Sequence, residues 1–509
     1  MTIRRRTVLA GTAAAALASP VRAQTAPKTA ISVRVDRDFE VLDPAFRTGL
    51  QDGNIVRAVT QRLITVAPGG GALTLDAAAS VEQVSPTVVE FRLKPGQMFS
   101  DGFGEVTADD VKFSYERFVQ GVDGRESPYK GEWANLQSVE VTDRLAGRIV
   151  LDRPRAGLFT IALGDVAGSI LSRRAVAERG AAHNQRPVGS GPLMVTSFEK
   201  QRQVVMRRNP AYAGVPSGFE EVAVRYVPDP RTAELGLRAG DLDFSALPPQ
   251  VAEPLRTVSG LSVQAQPGIA NIWLGMNTEK PPFNDVRVRR AIRLALDVDQ
   301  MLLAGYNGRA PRANALVMPQ VLGHWKDAPA PKRDVAQAKR LLAEAGHAQG
   351  FRARITVQNQ PAFQTMALVA QALLRDVGIT LEVDAQDAGS FFSAGKGDTG
   401  KALDLFIIRF NGKLDPNFLA QWFTASQVGV WNWQRWASPE FDALLDQGSA
   451  ELDDTKRAAL FVRAQQLMED SAAFVWLTYD VSTFVHRSWL KPALLPSGID
   501  WALDRFAAA

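Results

Sequence analysis

RITVQNQPAFQTMALVAQALLRDVGITLEV, residues 354–383, decides the fold class. Arg354 to Gln358 reads as a strand, Phe363 to Val377 as a helix closed by Gly378, and Ile379, Leu381 and Val383 alternate as the next strand. A strand, a helix and a strand in that order make a βαβ unit, whose strands lie parallel in one sheet beneath a helical crossover. The class is therefore α/β. Upstream, Asp334 starts a helix with Val335, Ala338, Leu341, Leu342 and Ala345 inward, ended by Gly346. Before it, Asn284 or Asp285 caps a helix in which Val288, Ala291, Ile292, Ala295 and Leu296 form the apolar stripe. Arg287, Arg289, Arg290 and Arg293 fall off that stripe and are read as a solvated face. Downstream, Ser438-Pro439 opens another helix, and Leu460, Phe461, Ala464, Leu467 and Met468 line a further one ahead of the strand Phe474 to Thr478.

The first half carries the same signals. Ile31 to Val35 alternates as a strand, and Val88 to Leu93 is another, ended by the turn pair Pro95-Gly96. Thr107 stands where a helix N-cap belongs, with Asp109 and Asp110 in the positive first turn and Val111, Tyr115, Phe118 and Val119 on one face. The two aspartates are read as helix-start electrostatics and not as catalytic acids. No repeat of 20 to 50 residues and no long low-complexity linker divides the chain. Lobes joined by short crossing strands have this signature.

With 509 residues, 46% of them hydrophobic and 22% charged, the chain is long enough for two or three domains. Residues 1–23 hold Arg4, Arg5 and Arg6, an apolar run from Val8 to Leu17, and the small-residue ending Val21-Arg22-Ala23. That is a cleavable export signal, too short and too mildly apolar to stay as an anchor, and Arg5-Arg6-Thr7-Val8-Leu9 resembles a twin-arginine signal beside the ordinary Sec alternative. Either route points to the periplasm. The chain has 58 basic and 54 acidic residues, but four of the basic ones lie in the first 23, leaving 54 against 54. A balanced mature surface does not suit a nucleic-acid or anionic-membrane partner. Cysteine is absent, which removes disulfides, thiol nucleophiles, cysteine metal sites and a lipoprotein anchor.

Catalytic patterns are missing as well. His183, His324, His347 and His486 show no metal-ligand spacing. Gly189-Ser190-Gly191 lacks the spacing of a nucleophile elbow and sits between Pro187 and Pro192, so it reads as a turn. Gly395-Lys396 is followed by Gly397 and is no phosphate loop. The expectation is a binding protein, with no metal and no cofactor. What stands out is aromatic density: Trp422, Trp431, Trp433 and Trp436 lie close together in a chain of ten Trp. Such rings suit either a ligand pocket or a packed core.

Six strings, in order, resemble the solute-binding proteins of peptide, nickel and opine transporters, family 5. They follow Val41-Leu42-Asp43-Pro44, which resembles that family's early Leu-Asp-Pro. They are EFRLKPGQMFSDGFGEVTADDVKFSYER (90–117), PVGSGP (187–192), RRNPAY (207–212), RAGDLDF (238–244), PPFNDVRVRRAIRLALD (281–297) and AKRLLAEAG (338–346). The resemblance implies the type II periplasmic-binding-protein fold, with two lobes, mixed sheets flanked by helices, a cleft between lobes and an extra subdomain. The divisions it implies are a signal at 1–23, lobe I at 24–66, 187–270 and 479–509, the extra subdomain at 67–186, and lobe II at 271–478. Strands near Ala270 to Met276 and Trp476 to Thr483 would be the hinge. It further implies capture of a small ligand by lobe closure, delivery to an ABC permease and its ATPase, and a monomer.

Dipeptide-binding relatives place an Asp that anchors the ligand's amino group shortly before an Asp-Pro-x-Asn-Phe element. DLFIIRFNGKLDPNF (404–418) compresses that element and has Arg409, Phe410 and Asn411 where the acid would be sought. A guanidinium at a strand end can grip a carboxylate at two points. The expected ligand is therefore a peptide or peptide-like carboxylate held by Arg409 and stacked among Trp431, Trp433 and Trp436. Phe46, Trp133, Trp273, Asn277 and Asn411 are further candidates, at positions where the family's lobes face the cleft. The alternatives are a metal-chelate, opine or sugar-like ligand, an exported hydrolase, and a chaperone-like binder of unfolded segments.

Overall fold

A computed structural model describes residues 28–509 except Thr48, Gly70 and Asp123, so the expected export signal at 1–23 lies outside the described residues. The βαβ unit is present and parallel: Arg352–Gln358 pairs in parallel with Thr380–Gln386 on one side and with Leu405–Asn411 on the other. Pro361 takes the first position of the crossover helix Pro361–Arg375. Gly378 turns the chain back with φ +85, and its carbonyl lies where a Cβ on Gly350 would fall. Ala270–Met276 and Phe474–Thr478 complete a five-stranded mixed sheet by antiparallel pairing.

Strand parity divides the surroundings of this sheet. Ile272, Leu274, Met276, Leu405 and Ile407 face the helices Val286–Ala295, Val298–Tyr306, Val335–Glu344 and Pro361–Arg375. Trp273, Phe406 and Ile408 face the opposite side, where Trp433, Phe441, Phe461 and Trp476 close a second core.

A seven-stranded sheet forms around the opening strand Ala30–Val35, which lies parallel to Glu221–Tyr226 and Phe244–Ala246. Its outer members are Leu193–Glu199, Gln203–Arg208, Leu261–Pro267 and Val481–Arg487. The chain passes from this sheet to the five-stranded one at Gly268-Ile269 and returns at Tyr479-Asp480. The two crossings touch, with Gly268 N donating to Asp480 O at 3.4 Å. A separate four-stranded antiparallel sheet, Ala78–Ser85, Val88–Leu93, Leu136–Asp143 and Ala146–Leu151, packs beneath the helix Ala108–Gln120.

The resemblance strings meet in space as packing devices. Asp43 and Arg117 form a buried two-point ion pair at 3.3 and 2.5 Å. Asp243 accepts from Ser32 N at 2.9 Å, fixing the opening strand. Gly189 is pressed on Val59, whose carbonyl oxygen would sit 1.9 Å from a Cβ. Asp110 closes a capping box with Thr107, which is the helix-start role read for it. The arginine face of Val286–Ala295 needs correcting. Arg289 is buried and donates to Ser471 O and Phe283 O, and Arg293 pairs with Glu469 at 2.6 Å. The helix ending at Ser471 packs alongside and supplies acceptors that periodicity within one helix does not register.

Two substitutions check these contacts by urea unfolding. Asp43→Ala leaves the Arg117 guanidinium buried without its carboxylate and should cost about 3–5 kcal/mol. Gly189→Ala forces a side chain against the Val59 carbonyl and should cost about 3 kcal/mol. An unchanged midpoint in either variant contradicts the packing described.

Candidate functional site

Two stretches remote in sequence face each other across a seam: residues 128–165 on one side and 412–457 on the other. Ala156 N donates to Ser449 O at 2.9 Å, and Thr160 Oγ1 lies 3.4 Å from Asp415 Oδ2. Asp415 is rigidly held, since Arg457 Nη2 donates to both its carboxylate oxygens at 3.0 and 2.9 Å and it also caps the helix Pro416–Ala420.

The seam's centre is a chain of five charges. Lys413 Nζ stands 2.7 Å from Glu132 and 2.8 Å from Asp165. Arg47 holds Glu132 from the far side at 3.3 Å, and Arg57 holds Asp165 at 2.9 Å. Lys413 also donates to Ile161 O at 3.3 Å. Burial opposes the charge on Asp165, but Lys413, Arg57 and Arg47 outweigh it and hold its carboxyl well below the usual carboxylate range. Burial likewise opposes the charge on Lys413, yet Asp165 and Glu132 more than restore it and raise its pKa.

Two cavities flank this ladder. The larger, about 480 Å³, is lined by Tyr129, Arg155, Asp415, Phe418, Trp422 and Arg457 among others. The smaller, about 50 Å³, lies against Arg57, Thr160, Asp165, Lys413, Ser497 and Asp500, beside the crossing at Ile269. Burial pushes the Asp500 carboxyl up, against the pull of Arg57.

The nominated residues are dispersed. Arg409 pairs in register with Ile272 and so lies on the helix-covered face of its sheet, while Trp433 and Trp436 pack on the other. Its Nε donates to Asp480 at 2.6 Å, on the return crossing, and its Nη1 to Asn411 at 2.5 Å. Arg409 and the tryptophans therefore do not converge. Trp433 is wholly buried beside Phe391 and Phe406 and donates to Val430 O at 3.3 Å. Trp436 packs on Phe441 and Phe474, and Trp431 on Phe410 and Trp422. Trp273 is buried among Phe410, Phe423 and Trp476. Trp133 stacks on Tyr115 at 4.3 Å inside the four-stranded body and donates to Ala167 O. Asn277 is buried, its amide given to the carbonyls of Gly400, Lys401 and Leu403. Phe46 lies under Arg125 at a separate surface cavity of about 760 Å³.

Lys413, Glu132, Asp165, Arg47, Arg57 and Phe418 were not nominated, and Trp422 was named only as one ring of the aromatic cluster. Lys413 and Phe418 lie inside the quoted stretch 404–418. Among the described residues no group of three or more His, Cys, Asp or Glu is placed to hold a metal ion, and no helix is long and apolar enough to cross a membrane.

Residues 73–431 match the bacterial extracellular solute-binding proteins, family 5 Middle. The chain is 27% identical over 475 residues to the probable D,D-dipeptide-binding periplasmic protein DdpA of Escherichia coli (strain K12), covering 90% of each. It is 28% identical over 401 residues to the heme-binding protein A of Haemophilus influenzae, covering 74% of this chain and 72% of that one. Among solved structures it superposes with TM-score 0.78 on the periplasmic binding protein DppA from Helicobacter pylori in complex with peptide STSA, at 24% identity over 94% and 98% of the two chains. A TM-score of 0.77 at 25% identity, over 94% and 99%, relates it to MoaA in complex with mannopinic acid from A. tumefaciens R10.

The ladder predicts a flat pH response. Asp165, with its lowered folded pKa, contributes fully above the ordinary carboxylate value of about 4, and this is lost as pH falls through the lowered value. Lys413, with its raised pKa, contributes fully below about 10.4, and this is lost as pH rises through the raised value. Lys413→Met should therefore cost about 1–3 kcal/mol, equally from about pH 5 to about pH 9, because each carboxylate keeps one arginine. Thermal unfolding of both proteins across that range checks it, and a difference that varies with pH inside the window contradicts it.

Proposed function

The chain belongs to the bacterial extracellular solute-binding proteins, family 5, and from that premise we propose that it is the exported periplasmic receptor of an ABC importer for a peptide or peptide-like carboxylate. The observation that carries the reading is the seam itself. A 480 Å³ cavity with Phe418 and Trp422 in its wall lies between two bodies joined by only two chain crossings, and 300–1,000 Å³ is the ordinary span for small-molecule pockets.

Lobe I comprises 24–66, 187–270 and 479–509, the extra subdomain 67–186, and lobe II 271–478. The hinge is at Gly268-Ile269 and Tyr479-Asp480. A ligand that touches both lobes favours the closed state by its differential affinity, and closure presents a shape that the permease and its ATPase recognise. Residues 1–23 direct export through the twin-arginine or Sec route, and the protein works as a monomer. Within the cleft, Lys413, Arg57, Phe418 and Trp422 contact the ligand, with Trp431 and Phe410 behind them and Asn411 at the rim. Arg409, tied to Asp480, steadies the hinge.

Relatives named for dipeptides and a solved structure holding peptide STSA support the peptide reading. A second reading, an opine-like acid, is favoured by the likeness to the mannopinic acid complex. Three cations at the ladder suit the carboxylate common to both. For a hydrolase, a histidine beside a nucleophile would be needed. His183 instead accepts from Val188 N and is lowered to about 4 by burial.

Native mass spectrometry of the purified mature protein, followed by a thermal-shift screen of dipeptides, tripeptides and opines, tests the proposal. The expected result is a discrete bound mass, or stabilisation of about 2.7 kcal/mol at a hundredfold excess over Kd for members of one class. Binding of unfolded polypeptide alone, with no response to any small acid or peptide, would sink it.

A further inference from the structure

Two neighbouring carboxylates inside a closed cleft are a natural seat for a ligand's ammonium group. Here that seat is filled from within the chain. Glu132 is held by Arg47 and Lys413, and Asp165 by Arg57 and Lys413, so neither acid is left single. Lys413 comes from the opposite side of the seam to the other four members, and its raised pKa keeps it charged.

The cationic side of the ladder is not used up in the same way. Arg57 is 7% exposed, and its buried Nε–H has no hydrogen-bond partner among the described residues. It lines the 50 Å³ cavity together with Lys413 and the hydroxyl-bearing Thr160 and Ser497. A guanidinium and an ammonium lining one small cavity are two donors suited to a single oxyanion. The volume takes one carboxylate and not a ligand's body. Asp500 also lines the small cavity, where burial pushes its carboxyl up against the pull of Arg57.

Resting on the solute-binding reading above, we infer that the small cavity seats the ligand's carboxylate between Arg57 and Lys413, and that Lys413 makes a free ammonium group at this end of the ligand unnecessary. Lys413 is then the residue that sets ligand charge. The preferred cargo is acidic, with its amino end blocked, absent or far from the ladder.

The probes are the dipeptide Ala-Phe, its N-acetyl form and its C-terminal amide, titrated calorimetrically into the mature protein and into Lys413→Asp, Lys413→Met and Arg57→Gln. For the wild type, N-acetylation should change affinity by less than about threefold, and amidation should weaken it by about thirtyfold or more, the range of a charge-assisted hydrogen bond. Lys413→Asp should reverse that order, and Arg57→Gln should remove most of the penalty of amidation. If Lys413→Asp fails to fold by circular dichroism, Lys413→Met serves, with the amidation penalty falling at least about fivefold. Binding in which N-acetylation costs as much as amidation overturns the inference and leaves the peptide reading standing. Binding of none of the three by a wild type that binds other peptides in the screen above overturns the inference alone, and binding of no peptide at all overturns the peptide reading with it.

Discussion

The ammonium of Lys413, caught between Glu132 and Asp165, is the contact that ties the two sides of the seam together. Removing three cations and two carboxylates from water is expensive, and their attraction compensates only where the geometry leaves no charge alone. Each carboxylate has an arginine from its own side, so opening the seam strips Lys413 but strands neither acid. The ladder can therefore break and re-form without a large unpaired charge in either state. A purely apolar seam of the same area would offer no such intermediate.

Sheet parity explains why Arg409 and the aromatic cluster do not share one wall. In Leu405–Asn411, odd residues face the helices and even ones face the aromatic core, so Arg409 and Phe410 cannot serve one pocket. Phe410 joins Trp273, Phe423 and Trp431, while Arg409 reaches the return crossing at Asp480. The rings provide a stiff wall of interlocked edge-to-face contacts. Only its outer members, Trp422 and Phe418, line the large cavity.

The fold was legible wherever a rule acts within a few residues. The strand-helix-strand of 352–386, the Thr107–Asp110 capping box and the helix starts at Asp285, Asp334 and Ser438 follow from side-chain period and cap chemistry. Arg289 and Arg293 were misread because their acceptors, Ser471 O and Glu469, belong to another helix. The ion ladder was not legible for the same reason on a larger scale. Lys413 stands beside a recognisable Asp-Pro-Asn-Phe, but Glu132 and Asp165 carry no local pattern that marks them as its partners. An ion ladder assembled from four separate stretches has no sequence period to betray it.

The turn that bears Lys413 is bound to the first chain crossing by backbone. Gly412 N donates to Ile269 O at 2.6 Å, and a Cβ on Gly412 would fall 2.4 Å from that oxygen and 2.3 Å from Leu419. Only glycine permits so close an approach, so the lysine is fixed one residue from the crossing strand. For rotation about the crossings, displacement grows with distance from the pivot. The ladder then moves least and the parts of the seam farthest from the crossings most. Charge recognition placed near a hinge couples to the closing angle with the shortest lever.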